Sequence, residues 1–247
     1  MQILRNTKLF DNKSKKLFEL TFNKFKTFLD CTHCFYLDVV KGINLSQKNE
    51  SSLDILVKKL LKKEFNYYRE KQLSHSIFKL IDFKGTPLNF ENKNILKKNI
   101  KGDFEFIDNK NNFILRSYVD DIWIDEKKEN ILIVKYKIIS EKNGVSEAIL
   151  NDKFYKDLLI HLDFNNWLFS SSYTLNQYSY IMFINAIEAN DFNKKLNFDY
   201  KFIKYFHKID WIEKKILEIK NFLVEGKIPN KSQTCFNCNF SRLLNKF

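Results

Sequence analysis

Apolar and polar positions repeat with two different periods along this chain. Leu17, Leu20, Phe22, Phe25, Phe28 and Leu29 fall near helical spacing and predict a helix that delivers Cys31 and Cys34 at its end. A second helix is predicted from about Ser52 to Lys71, capped by Ser51 or Ser52, with Leu53, Leu56, Leu60, Leu61, Phe65 and Tyr68 on its buried face. Its other face is basic through Lys58, Lys59, Lys62 and Lys63. Such a face is ordinarily solvated, and it is also a surface that can meet phosphate. From Asp103 to Ile139 the apolar residues come in short runs, which predicts strands at Phe104 to Ile107, Phe113 to Ile124 and Ile131 to Ile139 with polar turns between them. Helical spacing returns over Asp152 to Leu168, and Tyr178 to Ile187 and Leu196 to Tyr205 read as a hairpin closed by a polar run. The last long helix is signed at both ends. Asp210 and Glu213 form a capping box, Ile212, Ile216, Ile219 and Leu223 supply the apolar stripe, and Gly226 and Pro229 stop it.

Strands between helices make this an α/β chain, and its 247 residues suffice for one large domain. With 5 Gly and 2 Pro, no flexible linker is available. The expected organisation is therefore a polar N-terminal extension over residues 1–16 and a single domain over 17–247. At 44% hydrophobic the chain is not disordered, and its longest apolar run, Tyr178 to Ile187, is too short to span a bilayer and carries Ser179 and Asn185. No membrane association is expected. Arg5, Asn6 and Lys8 interrupt any leader-like run at the start, so the expected compartment is the reducing cytoplasm.

The net charge is +12 and comes almost wholly from lysine, the only arginines being Arg5, Arg69, Arg116 and Arg242. Lysine bias alone raises the charge. A chain this basic nevertheless attracts polyanions with a salt-dependent affinity, and DNA is the expected partner, with a protein partner as an alternative.

The 4 cysteines fall as two Cys-x-x-Cys pairs, Cys31 with Cys34 and Cys235 with Cys238, at opposite ends of the chain. Each pair presents two soft thiolates at chelating spacing, so together they complete a tetrahedral zinc site or hold an iron-sulfur cluster, and none is left over. His33 lies between two of them and is read as a surface residue rather than a fifth ligand. The centre would fasten the two ends of the chain together.

The run Phe28-Leu29-Asp30-Cys31-Thr32-His33-Cys34-Phe35-Tyr36-Leu37 is followed by Tyr118-Val119-Asp120-Asp121-Ile122-Trp123, by Ile133-Val134-Lys135-Tyr136-Lys137, and by Cys235-Phe236-Asn237-Cys238. In this order the residues resemble the RecB-like branch of the PD-(D/E)XK nuclease superfamily stapled by cysteines, including the CRISPR adaptation exonucleases. The resemblance runs from about Phe25 to Arg242. It implies a restriction-endonuclease-like core, a central mixed β-sheet flanked by helices, with the chain ends joined at a four-cysteine metal site. It also implies magnesium- or manganese-dependent cleavage of DNA, in which acids hold the metal and a lysine two residues beyond the second acid, hence on the same strand face, offsets charge at the phosphate.

On this pattern Asp120 matches the first acid, a metal ligand, and Lys137 the catalytic lysine. The second acid is replaced by Lys135, whose ammonium group repels the cation a carboxylate would bind. Asp121, Asp125 or Glu141 could supply a migrated acid and keep the site active. Further departures favour a site that has lost activity. Ser117 stands where a glycine is expected, and the family's helical Gln and Tyr four apart correspond to His161 and Asn165, or in a shifted register to Leu158 and Leu162. Gln177 and Tyr180 are three apart in a stretch read as strand. With hydrolysis lost, Lys135 and Lys137 remain as a phosphate clamp, and Lys58, Lys59, Lys62 and Lys63 extend the nucleic-acid surface.

Overall fold

In the computed structural model, residues 9–14, 16–43, 51–91, 96–99, 102–142, 144–188, 191 and 194–244 are described. In chain order the elements are β1 (Phe18–Thr21), α1 (Phe22–Asp30), α2 (Thr32–Val39), α3 (Ser52–Lys71), β2 (Gly85–Pro87), β3 (Leu96–Lys98), β4 (Phe104–Asp108) and β5 (Phe113–Ser117). There follow β6 (Asp121–Asp125), β7 (Asn130–Ile139), α4 (Lys156–Ser170), β8 (Thr174–Leu175), β9 (Ser179–Ile187), β10 (Asn197–Tyr205), α5 (Asp210–Glu225) and α6 (Phe236–Leu244). The fold is α/β, with mixed sheet flanked by helices and the N- and C-terminal regions meeting at the cysteines. Two compact units are present, one built from residues 1–48, 104–117 and 210–247 and the other from 49–103 and 118–209.

In the first unit β5 pairs parallel with β1 and antiparallel with β4. Leu17 and Leu20, expected on the first helix, belong instead to the strand region, because Thr21 ends β1 and caps α1 by accepting from the Lys24 amide at 3.3 Å. Of the N-terminal extension, residues 1–8 and 15 lie outside the described residues. Phe10, within it, donates its amide to Val39 O at 2.8 Å and packs its ring on Phe18. Phe25, Phe28 and Phe35 meet the apolar side of α5, where Phe222 stands 5.3 Å from the Phe28 ring. Ile212, Ile216, Ile219 and Leu223 are buried as their spacing predicts, and Gly226 ends the helix at φ +65°, a conformation glycine adopts without strain.

The second unit holds a mixed sheet in the order β10-β9-β7-β6-β2, with β8 beside β7. The hairpin β9–β10 forms as predicted, and β7 runs parallel to β9 and antiparallel to β6. Alternation sends Leu132, Val134 and Tyr136 of β7 to the face covered by α3, where they pack with Val57, Leu61, Phe65 and Trp123. The other face of β7 carries Lys135 toward α4.

Two further predicted elements change. The run from Phe113 to Ile124 is not one strand: β5 stops at Ser117, and β6 begins at Asp121 in a different sheet. No Gly or Pro marks the break, and the two buried carboxylates that follow it, Asp120 and Asp121, pair with cations on other elements. The second change is the roll of α3. Leu53, Leu56 and Leu60, expected inside, are exposed, and Val57, Leu61 and Phe65 are buried.

Candidate metal centre and buried charge cluster

The candidate metal centre is built by local chain geometry. Cys31 ends α1, its amide bonded to Thr27 O, and it also caps α2, its Sγ accepting from the Cys34 amide at 3.5 Å. One residue therefore turns the chain so that both thiols of the first pair face the same point. Cys235 precedes α6, held by its amide to Ser232 Oγ at 3.2 Å, and Cys238 follows one turn on. Across the pairs, Cys31 Sγ stands 3.6 Å from Cys238 Sγ, Cys34 Sγ 3.5 Å from Cys235 Sγ, and Cys34 Sγ 3.8 Å from Cys238 Sγ. All four sulfurs lie within 4.8 Å of one another, and no disulfide joins them. This donor set fits a thiophilic metal. Burial, and then hydrogen bonds with Cys235 and Cys31, push the Cys34 thiol up, so metal loading must displace protons. His33 donates from Nδ1 to Pro229 O at 2.7 Å, which ties the two cysteine-bearing segments together and leaves the ligand set to sulfur.

In the second unit two adjacent carboxylates are buried and each is satisfied by a different group of cations. Asp120 lies just before β6, and Lys135 Nζ stands 3.0 Å from its Oδ2 while Lys58 Nζ stands 4.0 Å from its Oδ1. The Tyr136 amide donates to the same Oδ2 at 3.1 Å. Burial alone would raise this carboxyl, but Lys135, Lys58 and the amide together hold it below the ordinary carboxylate range. Asp121, the first residue of β6, is ion-paired with Arg69 of α3 and accepts from Tyr136 Oη at 2.8 Å. Burial pushes Asp121 up, with Arg69 and Tyr136 working against it.

A half-exposed ring closes the cluster. Lys135 Nζ lies 4.1 Å from the centroid of Tyr118, whose ring also meets His161 of α4 at 4.6 Å. Asn165, one turn beyond, donates from Nδ2 to Tyr118 O at 3.2 Å. The pair His161 and Asn165 is thus the register of α4 that faces the cluster. Burial, then the charges of Lys135 and Lys58, hold His161 well below its ordinary value, so it is neutral. Leu158 and Leu162 are buried as core, and Tyr180 lies on β9, which begins just beyond Gln177.

The remaining expected site residues fall as follows. Lys135 is buried and committed to Asp120, and Lys58 turns inward from the helix face on which it was read as solvated. Lys59, Lys62 and Lys63 are exposed, and Lys137 is half-buried and forms no ion pair among the described residues. Asp125 accepts from the Glu129 amide and from Asn130 Nδ2, closing the β6–β7 turn, and Glu141 is exposed beyond the end of β7. Among the described residues only the four cysteines gather three or more metal-ligating side chains at one point.

Sequence reasoning missed Arg69, Tyr136 and Tyr118. A signal was present in the scarcity of arginine. Arg69 holds Asn66, Leu88 O and Asp121, Arg116 holds Glu19 and Glu105, and Arg242 holds Asn239 and Lys231 O. In a chain that otherwise uses lysine, each described arginine stands where a planar fork must serve several acceptors.

No protein-family model matches the chain, and no curated protein is significantly similar to it in sequence. No helix among the described residues is long and apolar enough to cross a membrane.

Proposed function

We propose that this chain is a PD-(D/E)XK-like nucleic-acid-binding protein in which an internal ion pair has replaced the catalytic metal, so that it holds DNA without hydrolysing it. The observation that carries this reading is Lys135 Nζ at 3.0 Å from Asp120 Oδ2. A divalent cation at Asp120 would have to displace Lys135 and Lys58, and among the described residues no uncommitted second carboxylate joins Asp120. Asp121 is engaged by Arg69, and Asp125 by its own turn. These commitments weigh against a migrated acid and an active nuclease. Exposed Lys59, Lys62 and Lys63 offer the polyanion contact, and Lys137 is the cation of β7 left outside the ion pair.

For the cysteine centre we propose zinc. Thiolates about 2.3 Å from one tetrahedral ion stand roughly 3.8 Å apart, and the three closest cross-pair separations here are 3.5, 3.6 and 3.8 Å. An iron-sulfur cluster sets several irons between its thiolates and spreads them further. The role is structural, since all four positions are filled by the chain.

Incubating the pure protein with single- and double-stranded DNA and magnesium or manganese tests the reading. The expected result is retention of DNA that weakens steeply with salt, and no cleavage. Cleavage that Asp120→Ala abolishes would overturn it, and absence of any salt-dependent retention would remove the nucleic-acid partner. Zinc predicts one ion per chain and no visible absorption, whereas a band near roughly 400 nm would assign iron.

A further inference from the structure

Helix α3 carries two apolar stripes, and among the described residues only one packs into the core. Val57, Leu61 and Phe65 are buried in the core of the second unit. Leu53, Ile55, Leu56, Leu60 and Tyr67 lie outside that core and remain 41%, 55%, 52%, 58% and 51% exposed. The roll of the helix explains the split. Lys58 and Arg69 are eleven residues apart, close to three full turns, so they share one face, and both must point inward to reach Asp120 and Asp121. That requirement turns Leu53, Leu56 and Leu60 out.

The outward stripe has a specific spacing. Leu53, Leu56, Leu60, Lys63 and Tyr67 alternate three and four apart, the spacing of a two-helix coiled-coil seam, with Ile55 exposed beside it. It extends about 21 Å at 1.5 Å per residue. Lys63 stands in the seam and Lys59 beside it, both exposed and without an ion pair among the described residues. On the other side Glu64 is held by His75 at 2.9 Å, and Glu70, three beyond Tyr67, takes the next seam position and places a negative charge at the far end, away from Lys59 and Lys63.

We infer that this face of α3 docks an amphipathic helix of a partner protein, one whose apolar seam is bordered by Asp and Glu. An exposed apolar line of this length marks an interaction surface, and charge at and beside such a seam selects the partner. A second copy of this chain is a poor occupant. In parallel register it sets Lys63 against Lys63, and in any register it brings together two chains of +12. An acidic helix supplies opposite charge to Lys59 and Lys63 while burying Leu53, Leu56, Leu60 and Tyr67. The same two lysines belong to the proposed polyanion surface, so helix and nucleic acid compete for them, but only the helix needs the leucines.

Two labelled helical peptides of four heptads, identical in their leucine seam and differing in Glu or Lys flanks, test this against the full chain by fluorescence anisotropy. The expected result is that the Glu-flanked peptide binds, the Lys-flanked one binds at least about tenfold more weakly, and added salt narrows the gap. Leu56→Ser with Leu60→Ser weakens the Glu-flanked peptide by at least about tenfold, with unchanged thermal unfolding and unchanged DNA retention. Lys59→Glu with Lys63→Glu reverses the preference. Equal binding of both peptides, binding of neither, or indifference to the serine pair overturns the inference. So does a dimer in sedimentation, or flotation with phosphatidylserine vesicles, that the serine pair abolishes. Loss of the DNA reading leaves this result intact, because the serine pair separates the two.

Discussion

The cysteine centre and the Asp120 cluster present the same electrostatic problem and solve it in opposite ways. At the cysteines four thiol groups converge within 4.8 Å with no side-chain cation among the four ligands, so as thiolates they require a cation from outside. At the cluster two buried carboxylates converge with Lys135, Lys58 and Arg69, all supplied by the chain itself. Buried charge must be compensated in both places. The contrast teaches that a site's demand for metal is read from the cations already present as much as from the ligands.

The comparison breaks most visibly if the metal proposed at the cysteines is taken away. Cys34→Ser or Cys238→Ser is expected to lose the bound ion and to cost several kcal/mol of stability, measured as metal content and melting temperature together. Because the thiols must deprotonate on binding, acidification weakens loading. A mutant that melts like the parent would mean that the ends of the chain are held without metal.

At the cluster the corresponding loss is internal. Lys135→Ala leaves Asp120 buried beside only the more distant Lys58 and is expected to cost about 3 to 5 kcal/mol, read by denaturant unfolding. Replacing both partners, as Asp120→Asn with Lys135→Met, is expected to recover most of that loss, since it removes the unpaired charge. A chelator affects none of these cluster variants beyond its effect at the cysteines.

A smaller effect sharpens the comparison through pH. Asp120 is held below the ordinary carboxylate range in the folded protein. Its contribution is therefore fully present above its unfolded value, about 3.9, and is lost as pH falls through the depressed folded value. The stability gap between the parent and Asp120→Asn is expected to shrink on acidification below about pH 4 and to be flat between pH 6 and 8. A gap that widened in acid would mean that burial, not Lys135, governs Asp120.

Much of this is legible in the residues. The identical spacing of the two cysteine pairs is enough to predict a shared centre, because Cys-x-x-Cys turns chelate through local geometry alone. The hairpin Tyr178 to Tyr205 and the stripe of α5 are readable because each has a single periodic face. Helix α3 is not, since it has apolar residues at nearly every angle, and the choice of buried face is made by Lys58 and Arg69 reaching acids some 50 to 60 positions later in sequence. The break after Ser117 is invisible for a related reason. No turn residue marks it, and the partners of the two carboxylates that follow it lie on α3 and β7. Lys135 is visible as a departure from the pattern the sequence resembles, yet its contact with Asp120 depends on how β7 lies beside β6, which no local pattern encodes.

Manganese binding observed by electron paramagnetic resonance, with the cysteine centre already loaded, tests most directly whether Lys135 has taken the place of a metal at Asp120. The account predicts no stoichiometric site in the parent protein and the appearance of one in Lys135→Glu, where a second carboxylate replaces the ammonium group. One manganese bound per parent chain, and lost in Asp120→Ala, would contradict it.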